Sequence, residues 1–443
     1  MGKFLLLTLL LALPAIAADK SSTSQLIEMA ANNNAALAQA IPATFSEDNL
    51  KTGKAWSSQG EKFFFATRAA ASPKLVVDDK PAVDMKAVTG TDLWYAVTTL
   101  NPPVSLHAFH YVVDGKEFGG SRDLAVFGPL SYLQLGVPAG KLSGKITHTS
   151  KLYDGMKSDY WVYVPAGYNP GIPAALMVFQ DGEGYIKPGG DHNILPAIDN
   201  LIAQHKIPVM VCVFINPGTI TASPGTPTYA FVSAYAKKWD RTLDDSMRST
   251  LYDTVSDRYA RFLRDEVLAD VAGHYNLRKD AYSRAITGLS SGGICSFNAA
   301  WQMPDQFSRV LTWIGSFTAI QWHEDPAIPD GGQDYPDKVL REPTRNLRVW
   351  MQDGSNDLEN RYGSWPMDNI RMANALKQKS YDVHFSFGHG THNAGQGAAE
   401  FPESMIWLWR GYDPNRTSET FQIDPAEKEN PVFRVTGLTS QPR

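Results

Sequence analysis

The sequence predicts an α/β protein, in which a mostly parallel β-sheet covered by helices follows a small β-sandwich. Three observations predict it. Between residues 145 and 411, seven apolar strand-like runs alternate with helical stretches, the pattern of a sheet buried on both faces. Between residues 61 and 135 the periodicity is two, in short β-branched and aromatic runs cut by Gly, Pro and Asn-Pro, which reads as a sandwich of short strands. The 443 residues are 43% hydrophobic and 20% charged, enough apolar surface to offset the entropy of ordering, so a disordered chain is excluded.

The elements follow in order. Residues 1–18, MGKFLLLTLLLALPAIAA, carry Lys3, a short apolar run and a small-residue end, the marks of a secretory signal peptide. The run falls short of the about 20 residues a membrane-spanning helix needs. A secreted or periplasmic protein without stable membrane insertion is therefore expected. Residues 19–60 read as an N-terminal extension in which MAANNNAALAQAI forms one helix. The β-sandwich is expected over 61–144, with Asp114-Gly115 as a hairpin turn.

From residue 145 to 411 the strand-like runs are DYWVYVPAGY, AALMVFQDG, PVMVCVFINPG, YSRAITGLS, FSRVLTWIGSF, LRVWMQDGSND and YDVHFSFGHG. Among the helical stretches between them, Tyr259, Phe262, Leu263 and Val267 recur at helical spacing and make one apolar stripe. Residues 218–250 are a Gly/Pro/Thr-rich insertion, long enough to be a functional loop. The polar tail, 412–443, reads as a loose strap.

Charge and cysteine content exclude several classes. Lys plus Arg number 41 against 46 Asp plus Glu, a net charge of −5; no basic excess exists to neutralise phosphates, so no nucleic-acid partner is expected. Two cysteines exclude a disulfide-rich scaffold and a cysteine zinc cluster. Cys212 and Cys295 sit in apolar runs and read as two buried thiols. His107-x-x-His110 lies on a strand, where positions i and i+3 face opposite ways, so these read as packing histidines. No phosphate-cradling glycine motif is present. Neither a metal nor an organic cofactor is expected.

In an α/β sheet, ligands bind beyond the carboxyl ends of the strands. One such end reads Gly288-Leu289-Ser290-Ser291-Gly292, a G-x-S-x-G pattern after an apolar strand and before a helical run. Composition alone yields such a pattern about 0.2 times in a chain like this, so its weight comes from the strand–turn–helix context. A sharp turn there strains the serine, and the helix N-terminus favours developing negative charge.

A serine is a poor nucleophile unless a base takes its proton and an acid orients that base. In the chain order Ser, acid, His, the next strand end offers Asp353, Asp357 and Glu359. Asp357 is preferred because a loop carboxylate a few residues beyond the strand can reach across; Asp353, at the strand terminus, is the alternative. The last strand ends in Gly388-His389-Gly390-Thr391-His392, and His392, further into the loop and ahead of a helix, is preferred to His389 as the base. An oxyanion hole requires two N–H groups; Ser291 and Gly182, in Gln180-Asp181-Gly182, are the candidates. Trp313, Trp322 and Trp365 fall in or just after strand-end segments, and Trp313 and Trp365 are candidates for stacking on a substrate acyl group or sugar.

The ordered set VYVPAGYNP, VFQDGEGY, GLSSGGICSF, MQDGSNDLEN and FGHGTH, over about residues 145–411, resembles the enterochelin-esterase-like putative esterases, the α/β-hydrolase branch that includes esterase D, feruloyl and acetylxylan esterases and mycolyltransferases. The resemblance implies an α/β-hydrolase fold, an immunoglobulin-like N-terminal β domain, and a triad at Ser290, Asp357 (in Gly354-Ser355-Asn356-Asp357) and His392. A secreted serine carboxylic-ester hydrolase is the leading expectation, acting on an acylated carbohydrate, aromatic or siderophore-like small-molecule ester. The alternatives are an acyltransferase using the same acyl-enzyme and an inactive carbohydrate-binding relative.

Overall fold

The computed structural model describes residues 22–32, 35–187, 192–223, 226–228, 247–322, 327, 330–429 and 433. The expected signal peptide, 1–18, and most of the 218–250 insertion lie outside the described residues. The chain divides into two compact units, one of residues 1–102 and 107–121, the other of 103–106 and 122–443.

The first unit holds two four-stranded sheets. One orders Ala55–Gln59, Lys62–Arg68, Leu93–Thr99 and Lys86–Ala87; the other orders Val83–Asp84, Lys74–Val77, Ser105–Val113 and Lys116–Val126. Asp114 and Gly115 both have positive φ, 49° and 76°, as a two-residue hairpin turn of the primed type requires. Three consecutive phenylalanines, Phe63, Phe64 and Phe65, are all fully buried, which breaks the half-exposed alternation of a lone sheet. The reason is that the strand is covered twice. Phe64 packs with Leu26, Leu37, Ile41 and Leu50 of the N-terminal helices, while Phe65 meets Phe109 at 4.8 Å between ring centroids.

Residues 22–51 are therefore part of this core and not a separate extension. They also form more than the single helix expected: Thr23–Ala31, Leu37–Thr44 and Glu47–Lys51. The first helix ends at its C-cap, Asn32, whose N–H donates to Glu28 O; asparagine favours such ends over helix interiors. His107 Nδ1 lies 2.6 Å from Asp78 Oδ2, whereas His110 approaches Glu117 at 3.6 Å. The two histidines serve different partners.

The second unit is built on a nine-stranded sheet. Its strands are β1 (Lys141–Leu142), β2 (Ile146–Thr149), β3 (Lys157–Val164), β4 (Ala175–Gln180), β5 (Met210–Ile215), β6 (Arg284–Leu289), β7 (Arg309–Trp313), β8 (Arg348–Gly354) and β9 (Asp382–Gly388). The spatial order is β2-β3-β5-β4-β6-β7-β8-β9, with β1 also on β3. From β5 to β9 every pairing is parallel; β1, β2 and β3 are antiparallel additions at one edge. All seven apolar runs are strands.

Alternating side chains feed two cores: Leu176 and Val178 join one cluster, Met177 and Phe179 the other. This is period-two geometry with both faces covered. Cys212 and Cys295 are free, buried thiols, and burial raises the pKa of both. The described part of the tail is pinned, not loose. Phe421 is buried with the guanidinium groups of Arg309 and Arg348 over its ring, at 5.0 and 4.4 Å. Its N–H donates to Asn346 Oδ1 at 2.9 Å.

Candidate active site

β6 delivers Ser290 directly into the helix Ser291–Gln302, leaving the serine at the bend with φ 60° and ψ −122°. An L-residue held in so sparsely populated a region costs about 1–3 kcal/mol and persists only where its surroundings over-determine it. Here they do. The Ser290 carbonyl accepts from the N–H groups of Gly293, Ile294 and Ser316 at 2.9, 3.2 and 3.0 Å, and the Ser290 N–H donates to the Trp313 carbonyl at 2.9 Å. Strand and helix approach so closely that a Cβ on Gly288 would lie 2.3 Å from the Gly292 carbonyl oxygen. Position 288 has to be glycine for this bend to close.

The loops after β8 and β9 are zipped together. Ser355 N–H donates to Gly388 O at 2.9 Å, Asn356 N–H to Gly390 O at 3.2 Å, and Asn356 Nδ2 to His389 O at 2.8 Å. Asp123 braces the second loop from outside, accepting the Thr391 N–H at 2.8 Å and its hydroxyl at 2.6 Å. The result brings Asp357, His392 and Ser290 into one line. His392 Nε2 is 2.9 Å from Ser290 Oγ, and His392 Nδ1 is 2.5 Å from Asp357 Oδ1. The Asp357 side chain is fully buried while that of His392 is 21% exposed, so the imidazole reaches solvent and the carboxylate does not. His389 is exposed, with only Ser355 Oγ near its ring at 3.4 Å.

Asp353 ends β8, wholly buried, behind Asp357. Burial and the Asp357 carboxylate raise its pKa well above the ordinary carboxylic range. Two further side chains border Ser290 and His392. The buried Ser316 hydroxyl is 3.3 Å from Ser290 Oγ and accepts Trp365 Nε1–H at 3.2 Å. Trp365, only 3% exposed, sets its ring edge-on to His392 at 5.5 Å between centroids. It walls the imidazole.

Other expected contacts are not made. Trp313 is buried in the core between Tyr185 and Phe401, and its ring lies so close to the Gly397 backbone that a Cβ there would be 2.5 Å away. At the carboxyl end of β7 its side chain is turned into the core, where it packs. Gly182 is a glycine because a Cβ would fall 2.2 Å from the Phe214 carbonyl carbon, and its N–H is engaged by Ile215 O at 2.9 Å. That N–H is not free to meet an oxyanion. Among the described residues no acceptor meets the Ser291 N–H, which stands at the first helical position where helix amides lack internal partners. Trp322 is 44% exposed.

Sequence reasoning did not reach Arg248, which grips Asp181 with two bonds of 2.9 and 2.7 Å and also reaches Leu289 O at 3.5 Å, next to Ser290. Nor did it reach Asp123 or Ser316. None of these lies in a local motif; each was recognisable only through a partner at least 26 residues away. Among the described residues no group of His, Cys, Asp and Glu is arranged to hold a metal ion, and no helix is long and apolar enough to cross a membrane.

A strained serine between a parallel strand and a helix, in line with a histidine and a carboxylate from later strand ends, defines the α/β-hydrolase class. The putative esterase family matches residues 155–408, more than half of the chain. The chain belongs to that family. Over 171 residues it is 23% identical to the uncharacterized protein YbbA of Bacillus subtilis, covering 38% of this chain and 59% of YbbA. The chain thus spans about three-fifths of that curated relative.

Among solved structures, the enterobactin esterase of Shigella flexneri, determined in the presence of 2,3-di-hydroxy-N-benzoyl-glycine, superposes with a TM-score of 0.52 at 16% identity. That match covers 82% of this chain and 99% of the other. The ferric enterobactin esterase of Salmonella typhimurium gives 0.50 at 15% identity, covering 81% and 97%. At these identities the likeness is one of fold.

Proposed function

We propose that this protein is a secreted serine esterase whose triad is Ser290, His392 and Asp357, acting through an acyl-enzyme on an acylated carbohydrate, aromatic or siderophore-like ester. The observation that carries the reading is the 2.9 Å approach of His392 Nε2 to Ser290 Oγ, with Nδ1 of the same ring on Asp357. With its proton on Nδ1, the imidazole leaves Nε2 as an acceptor, and Asp357 holds that tautomer. Ser290 Oγ attacks the ester carbonyl carbon while its proton passes to His392 Nε2. The resulting oxyanion is met by the Ser291 N–H and the positive end of the helix behind it.

Collapse of the tetrahedral intermediate breaks the bond to the leaving alkoxide, which takes the proton back from Nε2. Water then repeats the sequence against the acyl-Ser290 ester, releasing the acid. Enterobactin-type and aromatic esters enter the reading by analogy with the enzymes of like fold, and secretion through the character of residues 1–18; the two four-stranded sheets of the first unit fit an immunoglobulin-like sandwich. The test is Ser290→Ala. Wild type should hydrolyse p-nitrophenyl acetate and be labelled by a fluorophosphonate, and the variant should do neither; equal hydrolysis by both would overturn the mechanism.

A further inference from the structure

Asp353 and Asp357 present the site with two carboxyl groups and too few donors. The oxygens that already have partners are accounted for: Asp357 Oδ1 takes His392 Nδ1 and the Leu358 N–H, both at 2.5 Å, and Asp353 Oδ1 takes the Gly354 N–H at 2.7 Å. The other oxygen of each, Oδ2, is buried without a hydrogen-bond partner when both groups are written as carboxylates. Yet the two side chains lie within hydrogen-bonding reach of each other. Among the described residues neither pairs with a lysine or arginine.

The groups that face Asp353 are Asp357 from its own loop, with His392 beyond it, and the uncharged amide of Asn369 from the helix Trp365–Gln378; across the sheet its register partner is Phe387. Two buried like charges in contact, with no cation to divide them, cannot both persist. One proton placed between the two Oδ2 atoms satisfies both at once.

We propose that Asp353 is a positioning residue that remains protonated at neutral pH and donates its Oδ2–H to Asp357 Oδ2, fixing the carboxylate that orients His392. The assignment of the proton follows from the surroundings. Asp357 Oδ1 already accepts from an imidazole and a backbone amide, whereas Asp353 is wholly buried, with the Gly354 N–H and the Asn369 amide beside it, and burial favours the neutral form. This rests on the triad reading above. The arrangement makes the acid of the triad a hydrogen-bonded pair carrying one negative charge, with its second oxygen anchored to the end of a central strand.

The test uses the full chain with Asp353→Asn and Asp353→Leu. Asparagine supplies an uncharged N–H donor in nearly the same place, so kcat should stay within about fivefold of wild type, the scale of one altered hydrogen bond. The acidic limb of kcat/KM should not move. Leucine removes the donor, and kcat should fall about 10- to 100-fold, as for a misplaced catalytic group, with KM little changed. If Asp353 is instead ionised, Asp353→Asn deletes a negative charge beside the imidazole, and the acidic limb moves down by about one pH unit; that result overturns the proposal. So does an unchanged kcat in a folded Asp353→Leu.

Difference infrared spectroscopy of wild type against Asp353→Asn gives a readout independent of turnover. A protonated carboxylic acid C=O stretch should be lost in the variant at neutral pH, and its absence from wild type overturns the assignment. Should either variant fail to fold, aspartate-labelled wild type alone carries the infrared test. Activity surviving in Ser290→Ala would defeat the triad reading while leaving the infrared band in place, so the two failures are distinguishable.

Discussion

The two ends of the parallel sheet handle buried charge in opposite ways. At the amino ends of β7, β8 and β9, Arg309, Arg348 and Asp382 stand side by side in register. Arg348 donates to Asp382 at 2.6 Å and to the Arg410 and Leu408 carbonyls, and Arg410 closes on the other Asp382 oxygen. Among the described residues no carboxylate forms an ion pair with Arg309; burial and then the neighbouring Arg348 disfavour its charge. The carbonyls of Tyr282 and Leu408 and the faces of Tyr282, Trp409, Tyr412 and Phe421 compensate. That end is solvated by protein. At the carboxyl ends, Ser290 is strained, one oxygen each of Asp353 and Asp357 is buried without a donor among the described residues, and His392 is left partly open. The first arrangement serves stability and the second reactivity, and the same strands supply both.

Substitutions at the two ends should therefore separate in kind. The largest effect is expected at the reactive end: Ser290→Ala or His392→Ala should lower kcat on the order of 10⁶-fold, and Asp357→Asn about 10⁴-fold, measured on p-nitrophenyl acetate, with little change in urea midpoint. At the other end, Asp382→Ala leaves Arg348 and Arg410 without their shared carboxylate. It should cost about 3–5 kcal/mol in urea unfolding, with kcat per folded molecule unchanged. An activity loss without destabilisation at Asp382 would erase the contrast.

Ser290→Gly sharpens it further. Glycine accepts a φ of 60° without penalty, so stability should rise by about 1 kcal/mol as activity vanishes, visible as a higher thermal midpoint. A fall in that midpoint would show that the bend carries no strain.

The smallest effects are those of pH. Glu266 accepts from His148 Nε2 and the Lys151 and Leu152 N–H groups, at 3.0, 3.0 and 2.8 Å. Burial raises its pKa, but these donors outweigh burial and hold it below the usual value. Its folded pKa is depressed, so its stabilisation is present above about pH 4.3 and is lost as the pH falls through the folded value. Asp353 has the opposite sign. Its folded pKa is raised, the native state keeps a proton the unfolded chain releases above about pH 4, and stability declines as pH rises from there. Urea midpoints between pH 3 and 7 should show the cost of Glu266→Gln shrinking toward acid, and Asp353→Asn gaining on wild type toward neutrality. Parallel slopes for the two variants would refute this difference between a well-donated and a poorly donated carboxylate.

Much of this was legible from the residues. The seven strands and the elbow at Ser290 follow from local patterns, because apolar periodicity reports burial and a G-x-S-x-G turn reports a backbone bend. The misreadings share one cause. Trp313 and Gly182 stand where a site residue could stand, but whether a side chain or an N–H faces a pocket or a neighbouring strand depends on contacts with Phe401, Phe214 and Ile215. The alanines of MAANNNAALAQAI suggest one helix where the structure has two, and the polarity of the tail suggests a loose strap, though Phe421 anchors it between two arginines.

By itself, then, the amino-acid order determined the alternation of strand and helix, the class of fold and the sharp bend at Ser290, since each is written in spacing a few residues long. Only the tertiary structure decided which of two aspartates touches His392 and which lies behind it, which tryptophan walls the imidazole, and which amide is left without an acceptor. Those outcomes depend on distances between segments tens to hundreds of residues apart, and the energy of a buried charge is set by whatever such segments bring within a few ångströms of it.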